Sequence, residues 1–303
     1  MGSTSITNDT ANAGGTIIHN GGGELSAVGV CWSTTDPPTI ADNYATTEID
    51  TGSFSVELSY LYSETSYYVR AYATNEKGTG YGNSVSFTTA PALVTDIDGN
   101  VYQTIKIGNQ VWMAENLKVT HYRDGTAITN VTASVAWSFL STGAYCIYNN
   151  SVYNEVDTYG ALYNWYAVDD SRNIAPEGWH VATDDEWKDM EMALGMSQSE
   201  ADVYGWRGTN EGSKLAGNAD LWNSGDLEDN SEFGTSGFTA LPGGSRNFFN
   251  SFYTGMGFFG FFWSATEDSS NYAWSRTLSY LGSGVNRYHK YMRSGFSVRC
   301  LRD

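Results

Sequence analysis

The chain has 303 residues, with 34 acidic side chains against 16 basic ones and a formal net charge of −18. Such a field repels a phosphate backbone or an anionic lipid surface, which argues against nucleic acid as a partner despite a local basic cluster of Arg287, Lys290, Arg293 and Arg299. No run of about 18 apolar residues is present, so no transmembrane segment is expected, and the length suits two domains.

Aromatic residues make up 15% of the chain, glycine is frequent and proline rare, a balance that fits an exported β-rich protein better than a helical cytosolic enzyme. The opening MGSTSITND has neither a basic nor an apolar leader region, so any export signal is expected to have been removed or left out. Cys31, Cys146 and Cys300 are too far apart for a CxxC zinc or redox motif. Either Cys146 and Cys300 form a disulfide or all three are buried thiols.

From the start of the chain, Gly-rich turns at 14–15 and 20–23 separate short β-type runs at 27–33, 53–58 and 67–73. In the last run Tyr67, Val69, Ala71 and Ala73 share one face, expected in a core, and Tyr68, Arg70 and Tyr72 share the other, expected to stay wet. With Lys77-Gly78-Thr79-Gly80 as the following turn and residues 83–89 as a last strand, this stretch resembles fibronectin type III and related immunoglobulin-like modules. The resemblance implies a β-sandwich over residues 1–90 that acts as a spacer or stalk, as in versions that precede exported domains in Bacteroidetes-type bacteria.

Ala90-Pro91-Ala92 reads as the joint to a second domain, residues 93–303. This domain opens on a hairpin around Gly108-Asn109. Asp96, Asp98 and Asn100 have the spacing of a calcium loop, but Ile107 stands where the twelfth-position glutamate would be, so a polar turn is expected and no metal. A helix is expected over residues 159–168, with Leu162, Trp165 and Tyr166 buried. Thr183-Asp-Asp-Glu186 is a capping box that opens another, with Trp187, Met190, Met192 and Leu194 as its apolar stripe and Gly195 as its end.

Six motifs then line up in order: IGNQVWMAENL, YGALYNWYAV, GWHVATDDEW, SGFTALPGGSRN, FWSATE and GFSVRCLRD. Together they resemble the Fibrobacter succinogenes major paralogous domain, similar to the C-type-lectin-like and formylglycine-generating-enzyme superfamily. What this implies is an α+β C-type-lectin-like fold with few helices, with Trp179 and Trp187 as packing anchors and a turn of positive φ at Gly243-Gly244. The oxidase chemistry of the formylglycine-generating relatives is not carried over, since it needs paired cysteines near the end and only Cys300 is there. Calcium-dependent sugar binding needs an EPN or QPD tripeptide with WND, and none occurs. His19, His121, His180 and His289 are scattered, without HExxH or G-x-S-x-G, and the pairs Asp169-Asp170 and Asp184-Asp185 read as solvated charge. No catalytic residue and no cofactor is expected.

Near the end, Trp263, Trp274, Leu278, Val285, Phe296 and Val298 form an apolar lattice expected to face a core. Interleaved with it are Ser275, Thr277, Ser279, Leu281, Gly282, Gly284, Asn286, Tyr288, His289 and Tyr291, expected to face out and bind ligand. All ten are residue types whose codons differ from AAC only at its two adenines. In this they resemble the variable region of proteins diversified by retroelements that mutate template adenines. The phenylalanines between 248 and 262 are expected in the core, the first half rimming the site. The expected function is an exported surface binding protein whose ligand is a protein or glycan on another cell or particle, a phage receptor-binding protein being a close variant. An enzyme acting on extracellular polysaccharide and a structural surface component are the other classes.

Overall fold

The computed structural model describes residues 5–48, 52–151 and 155–303, and the chain divides into two compact units, Met1–Ala92 and Leu93–Asp303. The first contains β1 (Ala11–Ile17), β2 (Leu25–Ser33), β3 (Asn43–Thr47), β4 (Gly52–Leu58), β5 (Ser66–Asn75), β6 (Gly78–Tyr81) and β7 (Val85–Thr88). One sheet is the antiparallel pair β1-β4; the other runs β3-β2-β5-β6, with β7 also on β5. Val30, Trp32, Leu58, Tyr67, Val69 and Phe87 fill the core between them. Tyr67 and Val69 thus point inward as the alternation requires, but the opposite face of β5 is not wet. Tyr72 is buried there against the edge of Tyr44, and Arg70 lies 4.0 Å over the Tyr81 ring and donates to the Pro38 carbonyl. The turn after β5 is also earlier than expected: Glu76 and Lys77 make it, and Gly78 already begins β6.

The second unit begins with β8 (Leu93–Thr95), β9 (Val101–Ile107), β10 (Gln110–Met113), β11 (Thr129–Asn130), α1 (Ser134–Ser138), β12 (Ala144–Cys146), α2 (Glu155–Tyr159), β13 (Leu162–Tyr163) and α3 (Trp165–Val168). Then come β14 (Trp179–Val181), α4 (Asp184–Ala193), α5 (Gln198–Ala201), β15 (Gly205–Arg207), α6 (Glu211–Leu215), β16 (Gly243–Arg246), β17 (Tyr253–Met256), β18 (Phe259–Ser269), β19 (Tyr272–Ser279), β20 (Gly282–Tyr291) and β21 (Cys300–Arg302). Three sheets result, ordered β14-β21-β10-β9-β8, β11-β12-β13 and β15-β20-β19-β18-β16-β17. The unit is β-rich with short helices, none among the described residues long and apolar enough to cross a membrane.

The hairpin at Gly108-Asn109 forms, with Ile107 opposite Gln110. Asp96 closes the turn before β9: its carboxylate accepts from the backbone N–H of Asp98 and Asn100, the Asn100 amide and the Tyr102 hydroxyl at 2.6 Å. The helix expected over 159–168 is replaced by α2, β13 and α3. Gly160 breaks it, at φ +73 in a space where a Cβ would lie 2.8 Å from the Leu117 carbonyl oxygen, and Asn164 restarts the chain by capping α3 through Ala167 N–H. Gly244 has the expected positive φ, +64, but it lies inside β16 and not in a turn, because β17 and β18 pair on either side of it. Cys146 packs with Trp137 and Leu162 while Cys300 lies in the largest core, so the disulfide expectation gives way to free buried thiols at all three cysteines.

The capping box of α4 is complete, and Trp187 and Met190 are buried under it, but Met192 and Leu194 are only half-buried. Glu186 of that box also accepts from His180 on β14 (Nε2 to Oε1, 2.9 Å), whose Nδ1 lies 2.7 Å from Asp303. The Glu186 bond raises the His180 pKa most, burial opposes it and Asp303 adds to it, bringing it to about 9. Burial pushes the Glu186 carboxyl up, but hydrogen bonds from His180 and Thr183 outweigh it and hold it at about 2. A raised histidine pKa stabilises fully below the unfolded value of about 6.5, and the gain is lost as pH rises through the folded value. His180→Gln is therefore expected to cost about 1–2 kcal/mol near pH 6 and progressively less toward pH 10, read from denaturant midpoints. A cost that stays constant across that range would contradict the charged-histidine assignment.

Candidate functional site

Helix α4 faces the sheet with two acids, Asp184 and Glu191, seven residues apart and hence on one side of the helix. Arg276 on β19 reaches both, at 2.6 Å to Asp184 and 2.7 Å to Glu191; Arg287 on β20 binds Asp184 at 2.6 Å, and Arg207 on β15 binds Glu191. All five are buried. Burial raises the Asp184 pKa, but the bonds from Arg287 and Arg276 more than reverse it. This network occupies the face where the apolar lattice was expected to continue. Leu278, Val285, Phe296, Val298 and Trp263 are in the core as expected, whereas Trp274 is half-buried with the Arg287 guanidinium 3.7 Å over its ring. Beside it stand the Arg287 guanidinium and the rings of Tyr204 and His289, not an aliphatic layer.

The opposite face of β19 was expected to be exposed, and it is not. Ser275 is 0% exposed, Thr277 6% and Ser279 5%. In register, Ser275 stands between Trp263 and Tyr288, Thr277 between Phe261 and Asn286, and Ser279 between Phe259 and Gly282. Short side chains beside the large rings of β18 become the floor, and the Ser275 hydroxyl donates to the Tyr288 carbonyl at 2.7 Å. These three leave the set of surface candidates.

The other seven stay near the surface. Alternation along β20 puts Gly282, Gly284, Asn286 and Tyr288 in one row, beside Trp206 of β15, which pairs with Asn286. Where the row consists of glycine, a trough of about 600 Å³ opens, walled by Trp206, Phe259 and Leu281 with Thr209, Ser279 and Ser283 along it. Leu281, in the turn between β19 and β20, is 63% exposed and Trp206 52%.

Beyond Arg287, β15 no longer pairs with β20. Along this edge rings form an unbroken chain: Trp274 to Tyr204 at 5.9 Å between centroids, Tyr204 to Tyr288 at 4.3, Tyr288 to His289 at 5.1, His289 to Tyr272 at 4.8, Tyr272 to Tyr291 at 4.3 and Tyr291 to Phe248 at 3.9 Å. His289 is held at the middle, with Nδ1 3.0 Å from Asp268 and Nε2 3.3 Å from the Tyr204 hydroxyl. Tyr204, Tyr288 and Tyr291 are 45%, 37% and 38% exposed. Phe248 joins the edge, while Phe262 is buried and Phe261 stacks on Phe296. Tyr204, Trp206 and Tyr272 were absent from the sequence-based set; for the first two, which lie far upstream, no local pattern links them to β20.

The model of the Fibrobacter succinogenes major domain matches residues 105–302. The chain belongs to that family. No curated protein matches the chain. In this member of the Fibrobacter succinogenes major domain family, the six motifs supply core residues such as Trp112, Trp165, Trp187, Phe238, Trp263 and Phe296. The trough and the aromatic edge are built mainly between motifs, from β15 and from the β19-β20 hairpin.

The division into floor and rim predicts opposite responses to substitution. Ser275→Trp overpacks a closed space and is expected to cost about 1–3 kcal/mol or more. Leu281→Ala is expected to stay within about 0.5 kcal/mol of the parent. Denaturant midpoints of the two variants check this; a neutral Ser275→Trp would show the floor to be open.

Proposed function

We propose that this chain is an exported surface binding protein. An immunoglobulin-like spacer, residues 1–90, carries a C-type-lectin-like α+β domain, residues 93–303, whose trough and aromatic edge take a protein or glycan on another cell or particle. One observation carries the reading: the row Gly282, Gly284, Asn286 and Tyr288 continues from an open trough into a partly exposed chain of tyrosines, outside the motifs that build the core. Tyrosine offers broad amphipathic contact at low entropic cost, and glycine and asparagine leave room and polar groups that adapt, the mixture found in antibody paratopes. The reading requires no cofactor. Two antiparallel sheets around a core of its own suit the first unit to the role of spacer.

Tyr288→Ser combined with Tyr291→Ser is expected to weaken binding to whole cells and extracted surface material by about tenfold or more. Lost ring contacts are expected to cost about 1–2 kcal/mol of stability. Full binding by the folded double variant would refute the site. If the face is diversified by a retroelement, sequencing the locus in many isolates will find substitutions gathered at 281, 282, 284, 286, 288, 289 and 291 and excluded from 275, 277 and 279. Variation spread evenly over both groups would refute that part.

A further inference from the structure

We propose that the trough over Gly282 and Gly284 receives the ring of a neutral saccharide, an inference that rests on the binding role given to this face. Charge is the first argument. The one charged residue along the trough, Arg207, has its guanidinium 2% exposed and bonded to Glu191 and to the Ala201 and Val285 carbonyls, so the lining presents no charge to a ligand. The net charge of −18 adds long-range repulsion of acidic sugars.

Apolar walls also stand beside polar groups along the trough. Trp206 and Phe259 bring aromatic rings, whose faces attract the C–H bonds of a pyranose with their partial positive charge. Thr209 brings an exposed hydroxyl, while the Ser283 hydroxyl donates to the Thr209 carbonyl and the buried Ser279 hydroxyl accepts from the Leu281 N–H. Asn286, paired with Trp206 in register and next in the row after Gly284, has a buried Oδ1 with no hydrogen-bond partner. An acceptor left so is unfavourable, and rotation of the Asn286 amide toward Trp206 would present it to a sugar hydroxyl in the trough. An apolar side chain from a protein ligand would cover the same rings but bring no donor. A volume of about 600 Å³ lies within the range of small-molecule sites, ~300–1,000 Å³.

The glycine floor provides a test that leaves the fold intact. Gly282 has a φ outside the left-handed region, and a Cβ built on it meets nothing within 4 Å. Gly282→Tyr therefore fills the trough without strain, and Trp206→Ala removes one wall. The probes are purified neutral gluco-, manno- and galacto-oligosaccharides and a matched uronate series, titrated by calorimetry against the full chain and both variants. Thermal midpoints serve as the control for folding.

We expect neutral oligosaccharides to bind, the uronates to bind at least about tenfold more weakly, and each variant to lose about tenfold or more while melting like the parent. Saccharide binding unchanged in both folded variants would overturn the location. No saccharide bound, with capture of surface material that survives periodate and is destroyed by protease, would overturn the ligand class and leave the binding role standing. Failure to capture either saccharide or surface material would remove the binding role as well.

Discussion

Two carboxylates on one helix hold three strands of the large sheet in place. Asp184 and Glu191 project from α4 into guanidinium groups from β15, β19 and β20, and the trough lies on the other side of those strands. An interior ion network of this kind adds little net stability against a well-packed apolar one, but loss of a single partner leaves an uncompensated buried charge. It makes alternative registers costly. Sliding β20 by one residue would carry Arg287 out to the solvent face and strand Asp184, so the network fixes which residues of β20 form the row beneath the trough. It also accounts for the position of β15, a three-residue strand with little apolar surface of its own to hold Trp206 against β20.

Two further buried arginines work differently. Arg299 and Arg246 have no carboxylate partner among the described residues. The Arg299 guanidinium donates to the Asn116 amide oxygen and to the Met113, Phe238 and Thr239 carbonyls, and rests 4.4 Å over Phe238. Burial lowers its pKa, yet a guanidinium keeps its charge at neutral pH and has five donors in a fixed fork. A lysine could not reach as many acceptors. Arg299 thereby ties GFSVRCLRD to IGNQVWMAENL and to SGFTALPGGSRN. Arg246 binds the Val131 and Thr132 carbonyls across Trp137, and the Trp263 and Trp165 indoles join FWSATE to YGALYNWYAV through the Tyr163 and Ser264 carbonyls. The motifs are stitches at the centre of the unit, which is why the surface between them is free to differ.

Alternation along the terminal hairpin identified the two faces of β19 and β20 but not what each meets. A strand with Ser275, Thr277 and Ser279 on one side reads as half-wet because hydroxyl residues are commonly exposed. Here their partners on β18 are Trp263, Phe261 and Phe259, and rings of that size close over any short neighbour. On the other side, the pattern could not distinguish an apolar layer from a charged one, since Arg276 and Arg287 fill their space as completely as leucines would once Asp184 and Glu191 face them.

Local chemistry was therefore legible wherever a structure is decided within a few residues: the Gly108-Asn109 hairpin, the capping box at Thr183, the Asp96 turn, the inward side of Tyr67 and Val69 in the first unit, and the row of Gly282, Gly284, Asn286 and Tyr288. The six motifs identified the family for the same reason, because each is a short fixed packing unit. What only tertiary structure decided was every property that depends on the neighbouring segment. The break of the helix at Gly160 follows from the close approach of Leu117; the burial of Ser275 follows from Trp263; the chain of rings along the edge of β20 requires Tyr204 and Phe248, which no spacing links to Tyr288 and Tyr291. Periodicity determines on which side of a strand a residue lies, while its exposure is set by the size and charge of side chains that arrive from elsewhere in the chain.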